Sequence, residues 1–380
     1  MNLANQAGAA RLSQSQILDR GVQLLSQLLP AAWAVELDGG PARSGAGDCL
    51  LTISAAGQAP LRTVVVARTA FTPRDVGAGL GATAPFVGQA RTELPVTVVS
   101  PWFSQRTRTL LTEAGYNFVD LTGNIRISCS APPVYIARVS GAKAGYPRQR
   151  NAAGVRGVKA GRIVRLLADV MPPYGIVELA DAAGVTRGYA SKVAEVLERE
   201  AVIERSARGG VASVDWRELL RLRARAYAVL EANAVTSYLS PNGPTFALEC
   251  ARDIGLQGAA LTGSFAAASL APVAASTALM LYVTRNEQEL IDQARLLPAD
   301  EGANVFLLRP YDEVVLERLY EPGPIRSRVP SVGCAQVALD CLTGLGRMPA
   351  EGEALMEWMA ANEDRWRLPN LRAALNDRRV

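Results

Sequence analysis

Apolar and polar positions along the first 140 residues follow the pattern of a mixed α/β domain. Apolar side chains recur at helical spacing in 12–36, where Pro30 ends the helix, and again in 103–114. Short apolar runs between turn-forming residues predict strands. These strands are expected at 49–54, 63–68, 95–100, 117–120, 125–129 and 135–139. We therefore expect residues 1–140 to fold as one α/β domain with a mixed sheet.

The pattern in 159–216 is that of a winged helix-turn-helix, in which three short helices precede a two-stranded hairpin. Gly184 lies where the tight turn before the third helix requires a residue without a Cβ atom. On the second helix, Val177, Leu179 and Ala180 are expected to face inward. The predicted helices are 161–170, 176–183 and 187–200, and the predicted wing strands are 202–205 and 211–214.

The third helix divides into an apolar face and a polar face. Its inward positions are expected to be Ala190, Val193, Ala194 and Leu197. The outward side chains are short or cationic near the N-terminal end, which lets a helix approach a major groove closely. A hydroxyl before the helix can cap its first turn. The residues expected to contact DNA here are Thr186, Arg187, Gly188, Tyr189, Ser191 and Lys192.

The rest of the chain predicts a linker and a further domain. Residues 141–158 have no hydrophobic period and are rich in Gly and Ala, which is typical of a linker. A helical pattern over 216–239, followed by apolar strands such as 278–283 and 305–308, predicts a second α/β domain. The expected fold is therefore a multidomain α/β protein. Its parts are 1–140, the basic linker 141–158, the winged segment 159–216 and the C-terminal domain 217–380.

Positive charge is concentrated beside the winged segment. The formal net charge is only +4, but 143–165 contains seven Lys or Arg residues and no Asp or Glu. Such a block attracts a phosphate backbone. In the wing, Arg205 and Arg208 are expected near the backbone or the minor groove. The other cations expected at this surface are Arg156, Lys159 and Arg162.

Two basic features leave alternatives open. The winged segment could serve protein contact alone, as other winged domains do. Four arginines after the wing either extend the basic surface or form a solvated helix face paired with Glu218 and Glu231. These arginines are Arg217, Arg221, Arg223 and Arg225.

Composition removes several kinds of chemistry. The chain has no histidine, which excludes Ser-His-Asp and Cys-His catalysis and histidine-ligated zinc. Its five cysteines contain no CxxC pair, so we expect reduced thiols and no zinc site. The N-terminus has no basic segment followed by an apolar core, and no run of about 18 apolar residues occurs. We expect a cytoplasmic, nucleoid-associated protein with no cofactor and no membrane contact.

The order of elements in the first domain resembles the PD-(D/E)XK nuclease core. In that core, one acidic residue and a (D/E)-x-K triplet on the next strand bind a divalent metal. Asp48 occupies the first position, but Val66 and Arg68 replace the second carboxylate and the lysine. A single carboxylate is a poor magnesium site, so we expect no cleavage by that mechanism. Two other motifs are interpreted as structural: Asp120 with Asn124 and Arg126, and Gly263-Ser264, which lacks the paired aspartates of nucleotidyltransferases.

Three segments of the chain carry a wider resemblance. They are LLTEAGYNFVDLTGNIRI, LLADVMPPYGIVELADAAGVTRGYASKVAEVLEREAVI, and ALTGSFAAASLAP with LMLYV. The most specific pattern in them consists of Gly115, Tyr116, Asp120, Gly123 and Asn124. Together they resemble, over most of the chain and in the same order, the type IV toxin-antitoxin AbiEi-type antitoxin and transcriptional regulator group. The resemblance implies a DNA-binding repressor, often of its own operon, that catalyses no reaction.

The sequence thus predicts a sequence-specific, double-stranded DNA-binding transcriptional repressor that is not an enzyme. We expect its helix 187–200 to read the major groove and its wing to contact the backbone. A homodimer is expected because repeated half-sites raise specificity, and a cognate toxin protein is a second candidate partner. Two alternatives stay open: an antitoxin that acts mainly through a protein partner, and a metal-dependent DNA nuclease.

Overall fold

A computed structural model describes residues 12–38, 48–79, 94–140, 155–256, 258–321 and 329–376. These residues form a mixed α/β protein with fifteen α-helices and with sheets of seven, five and two strands. The predicted α/β class is thus confirmed. The chain divides into two compact units, Met1–Gln149 with Arg199–Ala201, and Arg150–Glu198 with Val202–Val380. Most of the predicted linker, 141–154, lies outside the described residues.

The first unit is built on the seven-stranded sheet, whose strands follow one another in chain order. The strands are β1 (Trp33–Asp38), β2 (Asp48–Ala55), β3 (Leu61–Ala67), β4 (Val96–Ser100), β5 (Asn117–Asp120), β6 (Ile125–Ser130) and β7 (Pro133–Arg138), and the helices are α1 (Gln14–Leu28), α2 (Pro73–Gly77) and α3 (Gln105–Glu113). Strands β3, β4 and β5 run parallel, and the other neighbours are antiparallel. All six predicted strands are present to within two residues at either end.

Both faces of this sheet carry an apolar core. Val65 and Ala67 of β3 join the cluster that includes residues of α1. Val64 and Val66 join a second cluster that contains Phe103 and Phe118. A strand buried on both faces is expected to be continuously apolar, as Val64 to Ala67 are.

Strand β1 is an element that the sequence pattern missed. The helix predicted within 12–36 is present as α1, which ends at Leu28. The chain then continues into β1, which pairs antiparallel with β2. Trp33, Val35 and Leu37 pack on the core while Ala34 and Glu36 are exposed. This alternation is the period of a half-buried strand.

The second unit begins with the helix-hairpin segment, residues 157–214. Its elements are α4 (Gly157–Asp169), α5 (Ile176–Ala183), α6 (Arg187–Arg199), β8 (Ile203–Arg205) and β9 (Val211–Val214). These bounds agree with the predicted elements, except that α4 starts four residues earlier than the predicted helix at 161. Strands β8 and β9 pair antiparallel, as the predicted hairpin requires.

The remainder of this unit surrounds a five-stranded sheet. Its elements are α7 (Trp216–Ala224), α8 (Val229–Ala232), β10 (Ala234–Leu239), α9 (Pro244–Asp253), β11 (Ala259–Thr262), α10 (Gly263–Ala268), β12 (Leu279–Val283), α11 (Glu287–Gln293), β13 (Leu297–Pro298), β14 (Val305–Arg309), a 3-10 helix (Glu313–Leu316), α12 (Cys334–Leu342), α13 (Met348–Ala361), α14 (Glu363–Trp366) and α15 (Leu371–Asn376). The strand order is β11-β12-β14-β10-β13, and only β12 and β14 are parallel within the described sheet.

The continuous helix predicted over 216–239 is wrong. Helix α7 ends at Ala224, α8 adds one turn, and residues 234–239 form β10 in the middle of the sheet. Val235 and Thr236 are β-branched and suit the pleated surface of a strand. Pairing with β14 on one side and β13 on the other therefore outweighs the local helical pattern.

The helix-hairpin segment and the C-terminal elements share one hydrophobic core. A single cluster of buried side chains runs from Val155 through α4 to α6 and on to Ala374. Trp216 and Trp366 meet edge to face within it at 5.1 Å between ring centroids. The two parts pack as one compact unit, whereas the sequence pattern predicts separate domains at 159–216 and 217–380. In the described part of the chain, no helix has the length and apolar character needed to cross a membrane.

Candidate nucleic-acid interface

Helix α6 has one buried and one exposed face, as predicted. The predicted inward positions are each at most 2% exposed: Ala190, Val193, Ala194 and Leu197. On the opposite side the exposed residues include Arg187, Gly188 and Lys192, and the half-buried ones include Tyr189 and Ser191. The exposed face therefore presents two cations, Arg187 and Lys192, with Gly188 between them, and Glu195 is exposed farther along the helix.

The N-terminal end of α6 is fixed by Thr186. Its hydroxyl accepts a hydrogen bond from the backbone N–H of Tyr189 at 3.3 Å, and its carbonyl oxygen accepts from that of Ala190 at 3.0 Å. The turn before it contains Gly184 in the left-handed region, at φ 61°. The predicted cap and the predicted glycine turn are confirmed. A helix N-terminus carries partial positive charge, so an anion is favoured at this end of α6.

The prediction that Val177 of α5 faces inward is wrong. Leu179 and Ala180 are buried, but Val177 is 48% exposed. With 3.6 residues per turn, two positions along a helix point to nearly opposite sides. Since Leu179 faces the core, Val177 has to face away from it.

The hairpin β8–β9 is held against the first helices by one backbone bridge. The N–H of Val211 donates to the carbonyl of Tyr174 at 2.9 Å, and the N–H of Tyr174 donates to the carbonyl of Val211 at 3.2 Å. Arg205 donates through Nε and Nη2 to the carbonyl of Gly209, at 3.0 and 2.9 Å, and so closes the hairpin turn. Arg208 at the tip is exposed. Of the two hairpin arginines, Arg208 is the one that lies open to solvent.

The cations of α4 differ in how far they are engaged. Arg156, which precedes the helix, and Lys159 in its first turn are exposed. Arg162 instead donates through Nε and Nη2 to the carboxylate of Asp312, at 3.0 and 2.7 Å. Its hydrogen bond to Asp312 raises the pKa of Arg162 above its ordinary value. Arg162 thus keeps its charge, but a carboxylate already occupies two of its donors.

Arg165 is part of the predicted basic block but is 1% exposed. It donates to Asp169 at 3.1 Å and to Gln336 at 2.9 Å, and Arg318 donates to the same Asp169 at 2.6 Å. Burial opposes the ionisation of Asp169, but the charges of Arg165 and Arg318 outweigh it and lower the pKa of this carboxyl. Arg165 therefore anchors α4 inside the unit and is no surface cation.

Two of the four arginines that follow the hairpin β8–β9 are paired with glutamates. Arg217 pairs with Glu357 at 3.1 Å, and Arg221 pairs with Glu353 at 2.7 Å and with Glu218 at 2.8 Å. Arg223 is buried and donates to the carbonyl of Val155. Arg225 is exposed. Glu218 is thus one predicted partner that the structure pairs, and the remaining ion pairs come from α13.

The three positions matched to a nuclease metal site in the sequence lie on β2, on β3 and directly after β3. Asp48 lies opposite Val66 in the β2–β3 ladder, and Val66 is fully buried. Arg68 donates to the carbonyl of the preceding residue at 2.9 Å. Across the residues that the structure describes, no three His, Cys, Asp or Glu side chains lie together as a metal site.

The second acidic motif organises a turn. Asp120 is fully buried and accepts hydrogen bonds from the backbone of Phe103 and from Thr122 and Asn124. Arg126 donates to the carbonyl of Tyr116 at 3.4 Å. In the other unit, Gly263 has φ 65° and Ser264 donates to Glu351 at 2.5 Å. Each of these polar side chains is hydrogen-bonded within its own unit.

Two polar groups of the second unit were missed from the sequence. Asp312 binds Arg162, 150 residues away along the chain. Asp340 is fully buried and accepts from Thr262 at 2.7 Å, Tyr227 at 2.8 Å and Tyr282 at 3.0 Å. Burial raises the pKa of Asp340. No local pattern marks either residue, because their partners come from distant parts of the chain.

Of the cations predicted at the interface, five are exposed: Arg156, Lys159, Arg187, Lys192 and Arg208. Arg162 and Arg205 are partly buried and already bonded within the unit. Thr186 acts as a helix cap, and Gly188 leaves open space above α6. Comparisons with profiles of known protein families, with curated proteins and with solved structures find no match to this chain.

Proposed function

We propose that the protein is a sequence-specific, double-stranded DNA-binding transcriptional regulator, and that it acts as a repressor. Residues 157–214 serve as a winged helix-turn-helix, with α6 as the recognition helix and β8–β9 as the wing. The observation that carries this proposal is the exposed face of α6, where Arg187 and Lys192 flank Gly188 behind a capped N-terminus. Cations on either side of a small residue suit close approach to base edges.

The charge distribution supports a division of labour among the cations. Within the described residues, Arg187, Lys192 and Arg208 have no carboxylate partner, nor do Arg156 and Lys159 of α4. Exposed cations without partners can release counterions from DNA, whereas those paired with Glu are already neutralised. Arg156, Lys159 and Arg208 are therefore assigned to phosphates. Arg187 and Lys192 are assigned to base edges.

The first unit is proposed to be a non-catalytic relative of the PD-(D/E)XK nuclease core. Val66 replaces the second carboxylate and is fully buried among apolar side chains. Placing a metal ligand there would require a charge in that core, which is costly. A metal-dependent nuclease is thus a weaker hypothesis than a DNA-binding regulator. The likeness to AbiEi-type antitoxins adds a cognate toxin protein and a second copy of the chain as candidate partners.

The proposal is tested by substitutions on α6. A duplex is first selected from a random pool by the wild-type protein, and its affinity for Arg187→Ala and Lys192→Ala is then measured by fluorescence anisotropy. Each variant is expected to lose about 1–3 kcal/mol of specific binding. Arg285→Ala is the matched control, because Arg285 is an exposed arginine of the same unit outside the helix-hairpin segment. Wild-type affinity in both α6 variants, with intact folding, would contradict the proposal.

A further inference from the structure

Arg162 is placed differently from the other cations of α4. Its Nη1 lies 3.5 Å from the point where a Cβ of residue 184 would sit, so the guanidinium lies beside the turn that leads into α6. Thr186, which caps α6, follows two residues later. A phosphate bound near the N-terminal end of α6 would come within reach of this guanidinium. The positive end of the helix and the arginine then favour an anion at the same place.

The carboxylate of Asp312 occupies this arginine. Oδ1 and Oδ2 of Asp312 accept from Nε and Nη2 of Arg162, at 3.0 and 2.7 Å. Paired donors of this kind bind carboxylates and phosphates with the same geometry. Arg162 is 35% exposed and Asp312 is 6% exposed. A molecule in solution can therefore reach the arginine, whereas the carboxylate is almost fully buried.

Asp312 is also hydrogen-bonded within its own segment, residues 312–318. Its Oδ1 also accepts from the backbone N–H of Val314 at 3.0 Å and so caps the 3-10 helix. The same segment binds α4 twice more, because Val314 accepts from Arg165 at 3.4 Å and Arg318 donates to Asp169. The charges of Glu317 and Glu313 also contribute to the raised pKa of Arg162. The segment thus brings an acidic edge to the helix-hairpin segment.

We propose that Asp312 is an intramolecular stand-in for a DNA phosphate, so that this carboxylate and the DNA backbone compete for Arg162. The proposal rests on the proposed DNA-binding function and adds its regulation. The closed pair sets a low affinity for any duplex. While the pair stays closed, a bound duplex lacks one phosphate contact, and it gains that contact only when Arg162 is released from Asp312. Residues 312–318, which follow β14 of the C-terminal sheet and contain the 3-10 helix, thereby limit how tightly the helix-hairpin segment binds DNA.

The test is Asp312→Asn, because an asparagine oxygen still accepts from the N–H of Val314 while the charge that holds Arg162 is lost. Affinity for a selected duplex and for a random duplex is measured at about 50 and 200 mM salt. One additional phosphate contact makes the loss of affinity between these salt concentrations about 3.5-fold larger than in the wild type. Both duplexes are expected to bind more tightly, since the new contact does not read bases. Thermal unfolding checks that the variant is folded.

Two further variants separate release of Arg162 from simple loss of negative charge. Glu313→Gln removes an exposed carboxylate one residue away that makes no hydrogen bond to Arg162. It is expected to leave the salt dependence unchanged. In the Arg162→Ala background, Asp312→Asn is expected to gain nothing. Equal effects of Asp312→Asn and Glu313→Gln, a gain that persists without Arg162, or weaker binding by Asp312→Asn would each overturn the inference.

The outcomes also separate this inference from the function on which it rests. If the wild-type protein and Asp312→Asn both bind no duplex, the DNA-binding proposal itself fails. If the wild type binds DNA through α6 but Asp312→Asn shows unchanged affinity and salt dependence, only the competition is wrong. Asp312 would then simply tie its segment to α4.

Discussion

Asp120 shows at the scale of single residues why an acidic motif need not be catalytic. Its carboxylate accepts from two groups each of Thr122 and Asn124 and from the N–H of Phe103. Gly123 completes the turn at φ 97°. The sequence identifies the motif, but it does not show whether the carboxylate faces a metal or its own backbone. The hydrogen bonds supply that information, because they show the carboxylate bound to its own turn and to the N–H of Phe103.

Asp120→Ala is expected to destabilise the first unit strongly. Several buried donors would lose their acceptor, and each such donor costs about 1–3 kcal/mol. The free energy of unfolding, measured in urea, is therefore expected to fall by at least about 3 kcal/mol. Glu36→Ala, at an exposed position on β1, is the control and is expected to shift unfolding little. An Asp120→Ala protein that stays stable but binds DNA more weakly would instead indicate a functional carboxylate.

At the scale of elements, the sequence predicts best where the pattern is local. The sequence predicts helices α4 to α6 and the hairpin β8–β9, because each shows its own apolar stripe, cap or turn within a few residues. The pattern misses strand β1 and places β10 in a helix, because both strands are defined by pairing with other parts of the chain. For the same reason the sequence does not predict the contact of Asp312 with Arg162, which forms only because α4 lies beside the 3-10 helix.

Gly188 gives a prediction that does not depend on charge. It lies in the first turn of α6, and a Cβ built there would meet nothing within 4 Å. Gly188→Ala is therefore expected to stabilise the protein by up to about 1 kcal/mol, since alanine favours a helix over glycine. If α6 lies deep in a groove, the added methyl group meets DNA, and specific binding falls.

The measurement for Gly188→Ala combines thermal unfolding with anisotropy on the selected duplex. A rise in melting temperature together with weaker specific binding supports α6 as the recognition helix. Gly77→Ala is a matched control, because a Cβ there also meets nothing within 4 Å and its helix α2 belongs to the first unit. Unchanged specific binding in Gly188→Ala would place DNA away from this face of α6.

At the scale of the whole molecule, the predicted domain division and the observed packing differ. The helix-hairpin segment shares its core with the C-terminal elements, and Asp169, Arg165 and Arg318 form a buried charged link between them. An amphipathic pattern shows that a helix has a face to bury but does not show which element covers it. The C-terminal part thus packs against α4 and pairs with its buried charges. This arrangement makes it a physical route for regulating the proposed DNA-binding surface.

The most direct test of the account is the binding of the wild-type protein to a selected duplex and to a scrambled duplex over a range of salt concentrations. If Arg156, Lys159 and Arg208 contact phosphates, the logarithm of affinity is expected to fall against that of salt with a slope near −3 per chain. The selected duplex is expected to bind about 1,000-fold or more tightly than the scrambled one. A flat salt dependence, or equal affinity for the two duplexes, would contradict sequence-specific DNA binding by this protein.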